Sequence, residues 1–225
     1  MKSPSLVIAT FALLVPILGP QARSQGTFQN LDFESAVLIP VPGDPQGAVQ
    51  FAPAFPSWLG YINGVLQTKT IPNGVPIGPP GETPFIAIMS PPGWSGWQGS
   101  YAVGFGAAMS GPNFVPVALA QTGSVPSQAK SLQFFALYAP AVFVNGQQIS
   151  STALGAGPSV STLFGVDITG FAGQTVELRF QPSLGINYLD GIQFSSQTIP
   201  EPSVPSLLGL GVLLLGCRSR HVPKT

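Results

Sequence analysis

The sequence predicts an all-β protein: one antiparallel β-sandwich, flanked by an N-terminal signal helix and a C-terminal hydrophobic helix. Three observations predict it. There are 27 glycines and 25 prolines among 225 residues. That is about twice ordinary usage, and both residue types disfavour helix interiors while suiting turns between short strands. Residues 175–180, Thr-Val-Glu-Leu-Arg-Phe, alternate polar and apolar without a fault, the period of a strand with one buried face. Asn145-Gly146 stands between Val142-Phe143-Val144 and residues 147–149, and Asn-Gly accepts the positive φ angles of a two-residue hairpin turn.

In chain order, residues 1–24 read as a secretory signal peptide. Lys2 supplies the positive start, and residues 6–18 form an apolar run interrupted only by Thr10 and Pro16. Ala22 and Ser24 place small residues at the −3 and −1 positions for cleavage before Gln25. The alternative for this stretch is a buried N-terminal helix. The body is 25–199. Its strand candidates are 28–34, 58–66, 85–89, 101–105, 114–120, 132–138, the hairpin 142–149, 163–168, 175–180 and 188–194. About nine or ten short strands, with no helix of three turns, indicate a sandwich. Val176, Leu178 and Phe180 face inward, while Glu177 and Arg179 share the outer face and screen each other weakly.

The last segment, 200–225, has three parts in order. Pro200-Glu201-Pro202 comes first, then an uncharged Leu-rich run over 204–217, then Arg218 and Arg220. As a helix that run spans about 21 Å, short of a hydrocarbon core of about 30 Å. Arginines directly after it suit a cytoplasmic end, which with an export signal in front leaves 25–199 outside the inner membrane. A Pro-Glu-Pro signature, a short Leu/Gly-rich segment and a terminal arginine cluster together resemble the PEP-CTERM sorting domain. The resemblance covers about 25 residues. It implies an exosortase-type processing enzyme as partner, in bacteria that make extracellular polysaccharide. This chain departs from the pattern in having two arginines split by Ser219 and a stretch running on to Thr225. The alternative is a plain C-terminal membrane anchor.

Two parts of the body resemble a further family. Asn30-Leu31-Asp32-Phe33-Glu34 opens it, and residues 167–180 and 188–194 close it. These are similar to the first and last strands of galactose-binding-like jelly rolls. The resemblance implies that 28–34 and 188–194 lie side by side.

Charge and residue types exclude several functions. Only 7% of the chain is charged. Within 25–199 three bases, Lys69, Lys130 and Arg179, stand against seven acids, a net charge of −4. There is no basic patch, so nucleic acid is excluded as a partner. The single cysteine, Cys217, and the single histidine, His221, both fall in the tail. The body therefore holds no Ser-His-Asp triad, no Cys-His pair and no zinc site of the usual ligands. A glycosidase needs only two carboxylates and is the least favoured reading. No enzyme activity and no cofactor are expected, a structural calcium ion excepted.

Asp190 is the most informative acid. Along 188–194 it shares parity with Tyr188, Ile192 and Phe194, so a carboxylate is expected on a core-facing row, where it must be paired, hydrogen-bonded or metal-bound. One reading is a calcium site formed by Asp190, Glu34 and backbone carbonyls, which the jelly-roll resemblance also implies. The other is that Asp190 accepts backbone N–H bonds. Trp58, Trp94 and Trp97 are candidate carbohydrate-binding residues, because Trp94 and Trp97 lie in a Gly/Pro-rich loop and an exposed indole stacks on a sugar face. Alternatively these tryptophans plug the ends of the sandwich. The expected function is an exported cell-envelope or extracellular-matrix protein that binds extracellular polysaccharide. The alternative is a structural or adhesive surface protein that binds no sugar.

Overall fold

The computed structural model describes residues 27–76, 81–94 and 97–200. The signal segment 1–24 with its cleavage residue Gln25, and the tail from Glu201 onward, lie outside the described residues. Among the described residues no helix is long and apolar enough to cross a membrane.

The described residues form sixteen strands. In chain order they are β1 (Val49–Gln50), β2 (Leu59–Ile62), β3 (Val65–Leu66), β4 (Lys69–Thr70), β5 (Phe85–Met89), β6 (Ala102–Gly106), β7 (Ala108–Ser110), β8 (Asn113–Val115), β9 (Val117–Ser124), β10 (Ser131–Ala136), β11 (Ala141–Val144), β12 (Gln147–Ile149), β13 (Ser151–Ala156), β14 (Thr162–Asp167), β15 (Thr175–Gln181) and β16 (Asn187–Ser195). A one-turn helix, α1 (Phe51–Ala54), buries Phe51 and Ala54, and a 3-10 turn forms over Thr169–Phe171. Two six-stranded sheets run β13-β14-β10-β16-β6-β5 and β12-β11-β15-β9-β2-β3, with small ribbons β1-β4 and β7-β8 beside them. The ladders of both large sheets are antiparallel throughout.

Alternation decides which residues fill the space between the sheets. The first sheet contributes Leu132, Phe134, Val103, Phe105 and Leu189, and the second contributes Val142, Val144, Leu119, Val176 and Leu178. Phe180 is fully buried, with its ring centroid 5.2 Å from that of Phe134 across the core in an edge-on arrangement. Burying a side chain of that size contributes about 2–3 kcal/mol. The hairpin at Asn145-Gly146 forms as expected, with φ of 49° and 77° and Val144 facing Gln147. A second Asn-Gly, Asn63-Gly64, makes the same turn between β2 and β3, with φ of 51° and 75°. The run 58–66 is therefore a hairpin and not one strand. Likewise 114–120 divides into β8 and β9 at Pro116, which has no N–H to give a ladder.

Residues 28–34 are not a strand. Both neighbours of β16 in the sheet are taken, by β10 and β6, so the N-terminal segment has no free edge to join. It crosses the end of the sandwich in turns, with Asn30 and Phe33 at φ of 50° and 60°. Phe28, Leu31 and Phe33 still reach the core. The adjacency to 188–194 does hold: Ile192 N–H donates to the Leu31 carbonyl at 3.0 Å, and the Phe28 and Phe194 rings lie 5.4 Å apart.

Candidate functional site

The site around Asp190 begins with a break in a ladder. Gln133 pairs with Gln193 and Phe135 with Asp190, so Gly191 and Ile192 together oppose Phe134 alone. That is a β-bulge, and Gly191 takes the left-handed conformation it needs, φ 56°. The bulge reverses the expected parity. Leu189, Ile192 and Phe194 point into the main core, while Tyr188 packs in a second cluster with Phe85, Ala87, Met89 and Ala102 on the outer face of the first sheet. Asp190 shares this outer face with its ladder partner Phe135. It is nevertheless 0% exposed, because residues 97–101 cover it.

A bulge frees backbone N–H groups from the ladder, and each finds an acceptor. Gly191 N–H donates to Oδ1 of Asp190 at 2.7 Å, and Ile192 N–H goes to Leu31. The other oxygen, Oδ2, accepts Gln98 N–H at 2.8 Å. Burial pushes the Asp190 carboxyl up to about 7. The two N–H bonds pull it down, and the like charges of Glu34 and Asp32 raise it further. Glu34 performs a parallel task one step away. Its Oε1 accepts N–H bonds from Ser100 and Tyr101, both at 2.8 Å, and Oε2 accepts Ser100 N–H at 3.0 Å. Gly99, at φ 72°, allows the chain to pass close over this carboxylate.

These contacts fit amide anchoring and do not fit a calcium site. Calcium takes six to eight oxygens, whereas here N–H donors already point at the oxygens of both carboxylates. Among the described residues no group of three His, Cys, Asp or Glu side chains stands together. Asp190 thus follows the second of its two sequence readings, on the opposite face from the one parity indicates.

The tryptophans separate. Trp58 is 2% exposed, packs on Phe33 and Phe180, and donates its indole N–H to the Asn30 carbonyl at 3.0 Å. It is a core residue and offers no surface to a sugar, which corrects that expectation. Trp97 is buried against the first sheet and stands edge-on to Tyr188. Trp94 is half-buried, with one face stacked on Tyr188 at 4.7 Å between centroids. The pair acts mainly as a cover for the outer cluster, leaving Trp94 alone partly open.

A different surface was not visible in the sequence. On the outer face of the second sheet a cleft of about 310 Å³ is lined by Tyr61, Pro116, Ala118, Arg179 and Gln181, among others. Arg179 and Glu177 read in sequence as a mutual screen only. Their ion pair is present at 3.0 Å, but Tyr61 comes from a strand more than a hundred positions away, and only the sheet register brings it near.

Fold and site together define an all-β sandwich whose N-terminal segment and one loop are docked by buried or loop-facing carboxylates. No family model and no curated protein matches the chain. Among solved structures, the enzymatically active domain of tailspike protein 4 from bacteriophage CBA120 aligns with a TM-score of 0.36 at 11% identity, over 62% of this chain and 19% of that one.

Proposed function

We propose that the chain is an exported cell-envelope or extracellular-matrix protein, processed at its PEP-CTERM-like tail by an exosortase-type enzyme. Its body is a galactose-binding-like jelly roll that binds extracellular polysaccharide without transforming it. The ends of the sequence support export and sorting, through the order signal, body, Pro-Glu-Pro, Leu-rich run and arginines.

One observation carries the choice of binding over catalysis: six of the body's seven acids, all but Glu82, are engaged in holding the fold, Asp32 by accepting Glu34 N–H at 3.3 Å. Asp190 and Glu34 anchor loop amides. Asp44 pairs with Lys69 at 2.7 Å, Asp167 accepts Thr169 N–H at 2.8 Å, and Glu177 holds Arg179. A glycosidase needs two carboxyl groups facing a substrate across roughly 5–9.5 Å. Asp190, whose carboxyl is pushed up to about 7 by burial, is sealed from solvent. The runner-up is a structural or adhesive surface protein that binds no sugar, favoured if the exposed faces serve only contact with neighbouring molecules.

Fractionation of the native host with intact-mass measurement tests the sorting half. The expected mature chain starts near Gln25, ends near Pro200-Glu201-Pro202, and is found in outer-membrane or medium fractions. A full-length tail retained in the inner membrane would reduce 204–217 to a plain anchor. Pull-down on extracellular polysaccharide tests the binding half, and absence of retention leaves the adhesive reading.

A further inference from the structure

The cleft on the second sheet is built by three neighbouring strands. Tyr61 on β2 faces Ala118 on β9, and Ala120 on β9 faces both Leu59 on β2 and Arg179 on β15. Leu119 points to the core, so Ala118 and Ala120 point outward. Both are nevertheless buried, because the larger side chains on the flanking strands rise on either side. Small residues on the middle strand and long ones on its neighbours make a trough.

The walls are polar and held in place. The Arg179 guanidinium carbon lies 5.4 Å from the Tyr61 ring centroid, a cation–π contact across the trough. Arg179 Nε donates to Glu177 Oε1 at 3.0 Å. The two terminal nitrogens of Arg179, the Tyr61 hydroxyl and the Gln181 amide have no hydrogen-bond partner among the described residues. Guanidinium donors, a carboxamide that both donates and accepts, and a phenol meet over alanine methyls. A volume of about 310 Å³ lies at the lower end of small-ligand sites.

We propose that this cleft binds a neutral pyranose unit of a polysaccharide, with Arg179 and Gln181 taking vicinal hydroxyls and the half-buried Tyr61 receiving the C–H face of the ring. The site rests on the polysaccharide reading above and names where and what it binds. Neutral sugar is chosen over uronate on charge. Glu177 already offsets Arg179, and the body carries seven acids against three bases, a balance that repels a polyanion. Vicinal hydroxyls suit an arginine fork whose charge is already answered, and a preorganised fork loses little freedom on binding.

The experiment is affinity electrophoresis of the full-length chain in gels holding a neutral glucan, a neutral galactan or a polyuronate. Retardation by a neutral polysaccharide is expected, changing less than about twofold between low and high salt. Tyr61→Ala and Arg179→Ala should each weaken it about tenfold or more, equivalent to about 1.4 kcal/mol. Gln181→Ala, at an outward position near the strand end, should weaken it with an unchanged circular dichroism spectrum, which separates lost contact from lost fold. Trp94→Ala should leave it intact. Retardation abolished by Trp94→Ala and indifferent to Tyr61→Ala would move the site to the first sheet while keeping the function. Preference for the polyuronate with steep salt dependence would overturn the neutral ligand. No retardation in any gel would remove polysaccharide binding itself.

Discussion

At the scale of single residues, Asp190 links the fold to pH. Its folded pKa of about 7 lies above the ordinary aspartate value of 3.8. Between those values the folded state keeps a proton that the unfolded state has released, so stability falls as pH rises through this window and levels off above it. Asp44 and Asp167 run the opposite way. The Lys69 ammonium, then the Gln46 N–H, hold Asp44 below its usual value, and the Thr169 N–H does so for Asp167. Their stabilisation is present above about pH 4 and is lost only on further acidification, so the windows do not overlap. Asp190→Asn removes the titration but turns an NH2 group toward one of two buried amides, which costs about 1–3 kcal/mol. The expected result from urea midpoints at several pH values is a variant less stable than wild type near pH 5, with the gap closing toward pH 8. Parallel profiles would show that Asp190 does not titrate in that range. Beside it, Gly191 sits at φ 56°, and a Cβ there meets Gln98 Oε1 at 2.5 Å and Phe135 Cδ2 at 2.8 Å. Gly191→Ala should destabilise by roughly 2–4 kcal/mol, from backbone strain plus overpacking. A melting temperature equal to wild type would mean that the bulge relaxes freely.

At the scale of elements, residues 97–101 are a cover docked from two sides, by Glu34 from the N-terminal segment and by Asp190 from β16. Glu34→Ala withdraws one anchor from an exposed position. It should cost about 1–2 kcal/mol and raise the access of a small quencher to Trp97 and Trp94, while Trp58 in the core stays shielded. Quenching identical to wild type would mean that Asp190 alone holds the cover. This cover also marks where sequence periodicity stops being enough. Residues 175–180 could be read in full because β15 runs unbroken, so period two gives the face of every side chain. The same rule misplaces Asp190, because it assumes an intact ladder through Gly191. A lone glycine inside a strand pattern is the available sign of a bulge, and Gly191 stands inside the run 188–194. β13 has the opposite problem. Ser-Thr-Ala-Leu-Gly-Ala shows no alternation because an edge strand, paired on one side to β14 and mostly open on the other, needs no apolar row. The cleft was legible in none of its parts, since Tyr61, Ala118 and Arg179 become neighbours only through the register of three strands.

At the scale of the whole molecule, the two apolar clusters share their strands. β5 and β6 send Ile86, Ile88, Val103 and Phe105 into the main core, and the alternate residues Phe85, Ala87, Met89 and Ala102 into the outer cluster. The outer cluster cannot lose its floor without the inner core losing a wall. The body also has no cysteine with which to tie any segment independently. Both facts point to one cooperative transition, despite a cover that lies outside the sandwich. Denaturant unfolding should therefore give coincident midpoints for backbone circular dichroism, for Trp58 in a variant lacking Trp94 and Trp97, and for Trp97 in a variant lacking the other two. Each midpoint is referred to the circular dichroism midpoint of the same variant, and reductant should change none of them. An earlier midpoint for Trp97 alone would show that the cover opens as a separate unit, with a stability set by the Glu34 and Asp190 anchors. In that case the first sheet presents an accessible aromatic face below the global transition, and Trp94 regains its place as a rival to the cleft for any sugar the protein binds.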